Sequence, residues 1–131
     1  MGFYGNRVAA VDFYTTAVTG LANSSTYSTA SDITPSVFNA QWADIQITAN
    51  GTHSSTNGVV TFNFVARGHE DDSWPTAASF SMEITMSGSS AQIANGNVDC
   101  RSYYDIKVLS IANGDATYQA TALNASISYK H

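Results

Sequence analysis

The densest group of charged side chains in the sequence is the run His69-Glu70-Asp71-Asp72. Carboxylate and carbonyl oxygens are the ligands that Ca²⁺ takes in proteins, so the three acids could hold a cation. Their spacing differs from that of an EF-hand loop, and adjacent acids on one loop point in different directions. We therefore favour a solvated loop after a strand over a calcium site. His69 and Glu70 have no further ligand at a spacing that zinc could use, so no metal site is predicted.

The other ionisable residues offer no arrangement for catalysis. Asp99, Asp105 and Asp115 lie near predicted strand ends and turns, where Asp commonly hydrogen-bonds to its own backbone. General acid–base catalysis needs two carboxylates, or a His with a partner, in one cleft. The sequence also lacks a phosphate-binding loop, a dinucleotide fingerprint and a Gly-x-Ser-x-Gly motif. We therefore predict that the protein is not an enzyme and has neither catalytic residues nor a cofactor.

The single cysteine and the N-terminal sequence indicate a protein that is not exported by the usual route. Cys100 is the only cysteine, which excludes a disulfide within the chain. We interpret it as a small buried hydrophobic residue, the usual environment of a free cysteine. The short apolar run after Arg7 ends at Asp12, so it does not form a secretory signal.

Aromatic side chains are the best candidates for a binding surface. Aromatic rings stack on sugar rings, and six of them could form a platform of that kind. The same residue types also make sandwich cores and subunit contacts, and we favour a core or interface role. The six are Trp42, Trp74, Tyr103, Tyr104, Tyr118 and Tyr129.

Length and composition limit the classes of protein that remain. The chain has 131 residues, the size of one ordinary domain, and 44% of them are hydrophobic, which argues against disorder. Only 11% are charged, while Ser and Thr together number 31. The net charge of −5, with five scattered basic residues, argues against nucleic acid as a partner. No apolar run approaches the roughly 18 residues that a membrane span requires.

Alternation with a period of two predicts strands in the second part of the chain. From Phe80 to Met86, large apolar residues alternate with Ser, Glu and Thr. Similar patterns cover residues 45–49, 60–67, 104–111 and 117–129. A change of phase at Leu109-Ser110-Ile111 indicates either a bulge or a strand end that is buried on both faces.

Residue pairs that tolerate positive φ separate these patterns and predict turns. The pairs are Asn50-Gly51, Asn57-Gly58, Ser87-Gly88, Asn95-Gly96 and Asn113-Gly114. Short strands with frequent turns favour an all-β fold, an antiparallel β-sandwich or jelly-roll-like domain, over a parallel sheet.

The first 43 residues have a different character and are predicted as an N-terminal arm, with residues 44–131 as the β-sandwich domain. Residues 7–21 fit either a first strand or a short helix. Residues 23–36 are rich in Ser, Thr and Ala and are predicted to be extended. An arm of this kind can add a strand to a neighbouring subunit.

Two segments of the chain resemble a known family. Phe62 to Trp74 reads as a strand, an acidic loop and a Trp, and Val98 to Val108 reads as an aromatic-led strand. The second segment leads through Ala112-Asn113-Gly114-Asp115 into a closing strand. Together they are similar to the small β-sandwich virion proteins of tailed bacteriophages, such as head decoration or capsid cement proteins. The resemblance covers roughly residues 44 to 130.

The resemblance implies a non-enzymatic virion structural protein, a head decoration protein that binds and stabilises the capsid as a homo-oligomer, with a trimer among the options. Its partners would be the major capsid protein, other virion proteins and its own copies, but neither nucleic acid nor membrane. Its location would be the virion, after synthesis in the host cytoplasm. The alternative is a carbohydrate-binding module, or a tail or fibre receptor-binding module, that uses exposed aromatics.

Six aromatic residues are predicted to make the assembly contacts. Those in the arm are Phe3, Tyr4, Phe13 and Tyr14, and the predicted buried anchors are Trp42 and Trp74.

Overall fold

The computed structural model describes residues 7–15, 20–28, 36–38 and 40–130, and these ranges form two four-stranded antiparallel sheets. The strands are β1 (Arg7–Thr15), β2 (Ser25–Ser28), β3 (Trp42–Gly51), β4 (Val59–Arg67), β5 (Phe80–Thr85), β6 (Ala91–Asp99), β7 (Asp105–Asn113) and β8 (Ala120–Lys130). Sheet A has the order β1-β8-β3-β6, and sheet B has the order β2-β7-β4-β5. This order is that of an eight-stranded jelly roll, and the predicted antiparallel sandwich is confirmed. Within the described ranges, no helix is long and apolar enough to cross a membrane.

The core lies between the inner faces of the two sheets. Phe62 and Phe64 of β4 are fully buried, as are Ile45 and Ile47 of β3 on the opposite sheet. Because successive side chains of a strand point to opposite faces, the two residues of each pair, which are two positions apart, point to the same inner face. The rings of Phe64 and Phe80 stack at a centroid distance of 5.0 Å, which extends the core toward β5.

The strongest sequence patterns form strands with the predicted faces. On β5, Ile84 is buried and Phe80 and Met82 are partly buried, while the Ser, Glu and Thr between them are exposed. Of the two interpretations of the phase change near Leu109, the bulge is the one present. In the pairing of β4 with β7, Asn63 lies opposite Ser110 and the next residue, Phe64, lies opposite Val108. Leu109 is therefore the extra residue of the bulge.

The prediction of a turn at Asn95-Gly96 is wrong. Both residues lie in the middle of β6, opposite Gln46 and Ile45 of β3. The reason is that the inward positions of β6 include Ala94 and Gly96, which are too small to produce the alternation of large apolar residues that predicts a strand. A Cβ atom built on Gly96 would lie 3.0 Å from the Cε of Met82, because this methionine of β5 fills the space that a larger inward residue would need.

The described parts of the predicted arm contribute one strand to each sheet. β1 pairs with β8, and β2 pairs with β7. The backbone of Leu21 also exchanges hydrogen bonds with Ala120, at 2.8 and 3.0 Å. The predicted boundary between residues 43 and 44 falls inside β3, which begins at Trp42. Removing residues 1–20 would therefore remove a strand of sheet A. Residues 1–6, 16–19, 29–35 and 39 of the predicted arm lie outside the described residues.

Candidate functional site

Three neighbouring strands of sheet A carry polar side chains on the face that points away from the core. β3 lies between β8 and β6, and its Asp44 pairs with Ser128 on one side and Asn97 on the other. The next outward-facing row consists of Ser126, Gln46 and Asn95. Because paired residues of an antiparallel sheet share a face, the rows form one continuous polar surface.

A groove of about 520 Å³ runs over these rows, and we call it the sheet A groove. Most of its side chains are amides or hydroxyls, which can donate and accept hydrogen bonds, while the Asp44 carboxylate only accepts. The lining residues are Asp44, Gln46, Asn95, Gly96, Asn97, Ser126 and Ser128. The strands that carry them are paired residue by residue, so these side chains stand on a rigid base.

A large apolar side chain lies at each end of the polar rows. Trp42, which is 51% exposed, pairs with Asp99 at one end. Ile93, which is 59% exposed, pairs with Thr48 at the other end. A strand rises about 3.4 Å per residue, so the distance from Trp42 to Thr48 is about 20 Å. The surface can therefore offer a ligand a polar middle flanked by apolar ends.

Two amides in the groove hold each other in place. Gln46 donates a hydrogen bond from Nε2 to Oδ1 of Asn95 at 3.2 Å. Within the described part of the chain, the Oε1 of Gln46 and the Nδ2 of Asn95 make no further hydrogen bond. The pair thus leaves one acceptor and one amino donor available at the groove surface.

An ion pair lies beside the Trp42 end of the groove. Arg101 donates to the Asp99 carboxylate from Nε at 2.9 Å and from Nη2 at 2.6 Å. These side-chain bonds, with a further bond from the Arg101 backbone, lower the pKa of Asp99 from 3.8 to about 2. The Arg101 guanidinium carbon also lies 5.8 Å from the centre of the Trp42 ring. The paired arginine therefore packs near Trp42 as a fixed cation.

The two tryptophans that the sequence analysis singled out have different environments. Trp74, in the loop between β4 and β5, is partly buried, and the cationic groups of Arg67 and Lys107 each lie 4.5 Å from its ring centre. Trp42 was predicted as a buried anchor, but half of its surface is exposed in this chain. It is exposed because residue 42 belongs to the outward-facing row of β3. Of the two, Trp42 is the ring that a ligand can reach.

The four other predicted contact residues belong to the N-terminal arm. Phe3 and Tyr4 lie outside the described residues. For Phe13 and Tyr14 the structure describes the backbone, which lies in β1 next to a register shift against β8. Their role in assembly stays a prediction.

The six aromatic residues considered as a platform do not come together on one surface. Tyr118 stacks on His53 at a centroid distance of 4.3 Å, while Tyr104 donates a hydrogen bond to Glu70 at 3.1 Å. Tyr103 and Tyr129 pack against the core.

The amides of β6 were not among the predicted site residues, because Asn95-Gly96 was predicted to be a turn. The sequence signal that could have found them is the period-two spacing of Ala94, Gly96 and Val98, with Asn95 and Asn97 between them.

The acidic run forms part of the exposed loop after β4, as the favoured interpretation predicted. The backbone N–H of Asp72 donates to the carbonyl of His69 at 3.1 Å, and Arg67 donates to the carbonyl of Asp72 at 3.0 Å. Glu70 accepts the bond from Tyr104. Across the described ranges, no three His, Cys, Asp or Glu side chains are placed to hold one metal ion.

A second groove, of about 560 Å³, lies where loops meet near Tyr103. It contains Phe38, His69 and Arg101, but the Arg101 guanidinium already binds Asp99. Because loops vary in position more than paired strands do, this groove is less well ordered for recognition than the sheet A groove.

The chain is similar to several solved structures. The CBM22-1 xylan-binding domain of Xyn10C from Paenibacillus barcinonensis is 11% identical, over 99% of this chain and 98% of that chain, with a TM-score of 0.50. A Bacillus endospore appendage structure, from a family of disulfide-linked pili, is 19% identical over 96% and 86% of the two chains, with a TM-score of 0.36. A CBM4 structure is 12% identical over 75% and 58%, with a TM-score of 0.41. No protein-family model and no curated protein matches the sequence. The first likeness supports the β-sandwich fold.

Proposed function

We propose that the chain is a non-catalytic glycan-binding module whose ligand lies in the sheet A groove. The observation that carries the proposal is the set of amide and hydroxyl rows that ends at the exposed ring of Trp42. Sugar hydroxyls both donate and accept hydrogen bonds, as do the amides of Gln46 and Asn95. An aromatic ring supplies the apolar surface that packs against the C–H groups of a sugar.

The amides and hydroxyls of this surface favour a polar ligand, and the Asp44 carboxylate disfavours an anionic one. Removing amides and hydroxyls from water costs less than removing charges, provided that each finds a partner in the complex. Gln46 is already held by its bond to Asn95, so it loses little further side-chain freedom on binding. Rows of such groups on paired strands can therefore bind a glycan with little rearrangement.

The likeness in fold is a second support. The CBM22-1 domain binds xylan on a chain of the same architecture. The class of ligand that this likeness supports is a polysaccharide or oligosaccharide.

A glycan array with the purified chain tests the proposal, followed by calorimetry with the best neutral ligand. Replacing Gln46 or Asn95 by Ala should weaken binding about 3- to 10-fold, since a hydrogen bond contributes about 0.5–1.5 kcal/mol. The matched control is Asn63→Ala, an amide on the outer face of sheet B that binds Ser110 at 3.1 Å. It should leave the affinity unchanged.

Tryptophan fluorescence gives a second readout. A bound sugar should change the emission of Trp42, so the change should be lost in Trp42→Phe and kept in Trp74→Phe. If no glycan binds saturably, or if Asn63→Ala weakens binding as much as Asn95→Ala does, the groove is not a glycan site.

We also propose a second candidate, the virion structural protein that the sequence resemblance implies. The observation that favours it is the exposure of large hydrophobic side chains on a surface with few charges. Within the described ranges, those exposed are Tyr27, Phe38, Trp42 and Ile93. Covering a surface of this kind with a neighbouring subunit costs little desolvation free energy, because few charges are removed from water.

Mass spectrometry of purified phage particles tests this second candidate. Hundreds of copies per particle would support a head decoration or tube protein, and absence from particles would exclude a virion role. Truncation of the first 20 residues is a poor test because it removes β1. A pair of surface variants is better: Phe38→Ser should weaken particle binding, while Ser81→Ala, on the exposed face of β5, should not.

A further inference from the structure

The four edge strands of the sandwich differ in how they are protected against pairing with other strands. Natural sheets protect their edges with bulges, short strands and charged side chains. β1 has two register shifts against β8, and β2 has only four residues. β5 has six residues and carries the exposed Glu83. Each of these three edges therefore has a recognisable protection.

The fourth edge, β6, has none of these features. Its nine residues pair with β3 in continuous register, without a bulge. It contains no proline, and its single charged residue, Asp99, is the last of the strand. Ile93, the most exposed of the large hydrophobic residues in the described ranges, also belongs to it. β6 therefore lacks the features by which natural edge strands avoid pairing with another strand.

The backbone pattern shows which residues of β6 face the open edge. The N–H of Cys100, which follows β6, donates to the carbonyl of Gln41 at 2.8 Å, so it points toward β3. Because direction alternates along a strand, the odd-numbered residues direct their N–H and C=O groups to the other side. Within the described part of the chain, no strand pairs with that side. These residues are Ala91, Ile93, Asn95, Asn97 and Asp99.

We propose that β6 pairs antiparallel with β6 of a second copy of this chain, about a two-fold axis that passes through Asn95. The partner we propose is a strand, because its backbone donors and acceptors have the same spacing as those of the open edge of β6. A second copy fits because the row is self-complementary. The two-fold axis places Asn95 opposite its own copy and Ile93 opposite the partner's Asn97.

The side chains are compatible with this register. Asp99, the only charged residue of the strand, lies opposite the partner's Ala91. The two Asp99 carboxylates therefore do not repel each other across the axis. The side chains of Ile93, Asn95 and Asn97 are exposed on the outer face of sheet A, where they line up with those of the second copy. Sheet A becomes a sheet of twice its width, and the sheet A grooves of both copies meet at the axis. Two grooves held side by side would bind a repeating polymer more tightly than one.

Sedimentation of the purified chain tests the pairing. We expect a concentration-dependent dimer, with the protein monomeric only well below its dissociation constant. Ile93→Lys places a charge on the edge and removes no core contact, so it should shift the chain to monomer. Thr26→Lys, an equivalent change on the exposed edge strand β2, should leave the dimer intact, and circular dichroism should be unchanged in both.

Cysteine cross-linking tests the register. Two residues of a hydrogen-bonded antiparallel pair have Cα atoms about 5.5 Å apart, within reach of a disulfide. Asn95→Cys should therefore form a covalent dimer under mild oxidation. The control is Gln46→Cys, opposite Asn95 on β3, where the two copies would be three strand spacings apart, about 14 Å, and should not cross-link.

Each outcome decides the proposal. Dimerisation that Ile93→Lys abolishes, together with cross-linking at 95 but not at 46, supports it. A chain that stays monomeric up to about 1 mM overturns it. A dimer that survives Ile93→Lys, or that cross-links equally at both positions, shows that another surface is used and also overturns it. None of these results depends on whether the groove binds a glycan.

Discussion

The carboxylate of Asp115 accepts a hydrogen bond from the backbone N–H of Gly58 at 2.9 Å, and the same oxygen accepts one from Asn57 at 3.0 Å. Its other oxygen accepts bonds from Thr117 at 2.9 Å and Tyr118 at 2.8 Å. Asp115 is only 3% exposed. One carboxylate thereby joins the connection between β3 and β4 to the connection between β7 and β8, at one end of the sandwich.

We expect Asp115→Asn to lower the stability of the fold at pH 7. A carboxylate can accept four N–H bonds, whereas the amide group of Asn would turn its own donor toward some of these N–H groups. Urea denaturation followed by circular dichroism measures the change. The control is Asp71→Asn in the exposed loop after β4, which should leave the midpoint almost unchanged.

The lowered pKa of the Asp115 carboxylate should make the stability of the fold depend on pH. The backbone bonds from Tyr118 and Thr117, the largest causes, lower the pKa of Asp115 from 3.8 to about 2. Between these values the unfolded chain binds the proton and the folded chain does not. The contribution is therefore fully present above about pH 4 and is lost as the pH falls toward 2. Urea midpoints between pH 7 and 2.5 should converge for the native chain and Asp115→Asn, and parallel curves would contradict this account.

Gly58 and Gly96 should differ in their tolerance of a side chain. A Cβ atom on Gly58 would collide with the Asp115 backbone, which cannot move without breaking the hydrogen bonds just described. A Cβ atom on Gly96 would meet the flexible end of Met82 at 3.0 Å. We expect Gly58→Ala to lower the free energy of unfolding by about 1–3 kcal/mol and Gly96→Ala by clearly less. Urea denaturation of both variants measures these two losses of stability. Equal losses would show that the close contact with the Asp115 backbone is not the reason for glycine at position 58.

How much of this fold the sequence could predict depends on where each strand lies. β5 and β8 present large residues to the core, so their alternation is strong and their faces were predicted. The inward positions of β6 include Ala94 and Gly96, which produce a weak pattern that resembles a turn. The groove was missed for the same reason. Gln46 and Asn95 are 49 residues apart, and only the pairing of β3 with β6 brings them together.

The two Arg–Asp pairs of the described chain should differ in their effect on stability. Arg67 donates to Asp105 at 2.9 and 2.6 Å, and Asp105 is only 4% exposed. The Asp99–Arg101 pair has side chains that are 43% and 67% exposed, so solvent screens it. Asp105→Asn should therefore lower the urea midpoint much more than Asp99→Asn does.

Arg67 also connects this pair to the loop that carries Trp74. Loss of its partner should loosen that loop, so proteinase K, which has little sequence preference, should cleave Asp105→Asn near Trp74 faster than the native chain. If Asp99→Asn were cleaved as fast at the same place, the Arg67–Asp105 pair would not be what holds the loop.

The thiol of Cys100 should be nearly unreactive while the chain is folded. Cys100 is 1% exposed, as the sequence analysis predicted, and its Sγ lies 3.6 Å from the carbonyl of Val98. Burial, with a smaller effect of the Asp99 charge, raises the pKa of the thiol from 9.0 to about 11. At pH 8 about one molecule in a thousand would then carry the reactive thiolate.

Ellman's reagent at pH 8 should label the folded chain slowly and the urea-unfolded chain at once and completely. Since this is the only cysteine, the labelling rate reports the opening of this end of β6 directly. Rapid labelling without urea would show that the strand end opens far more often than its burial implies.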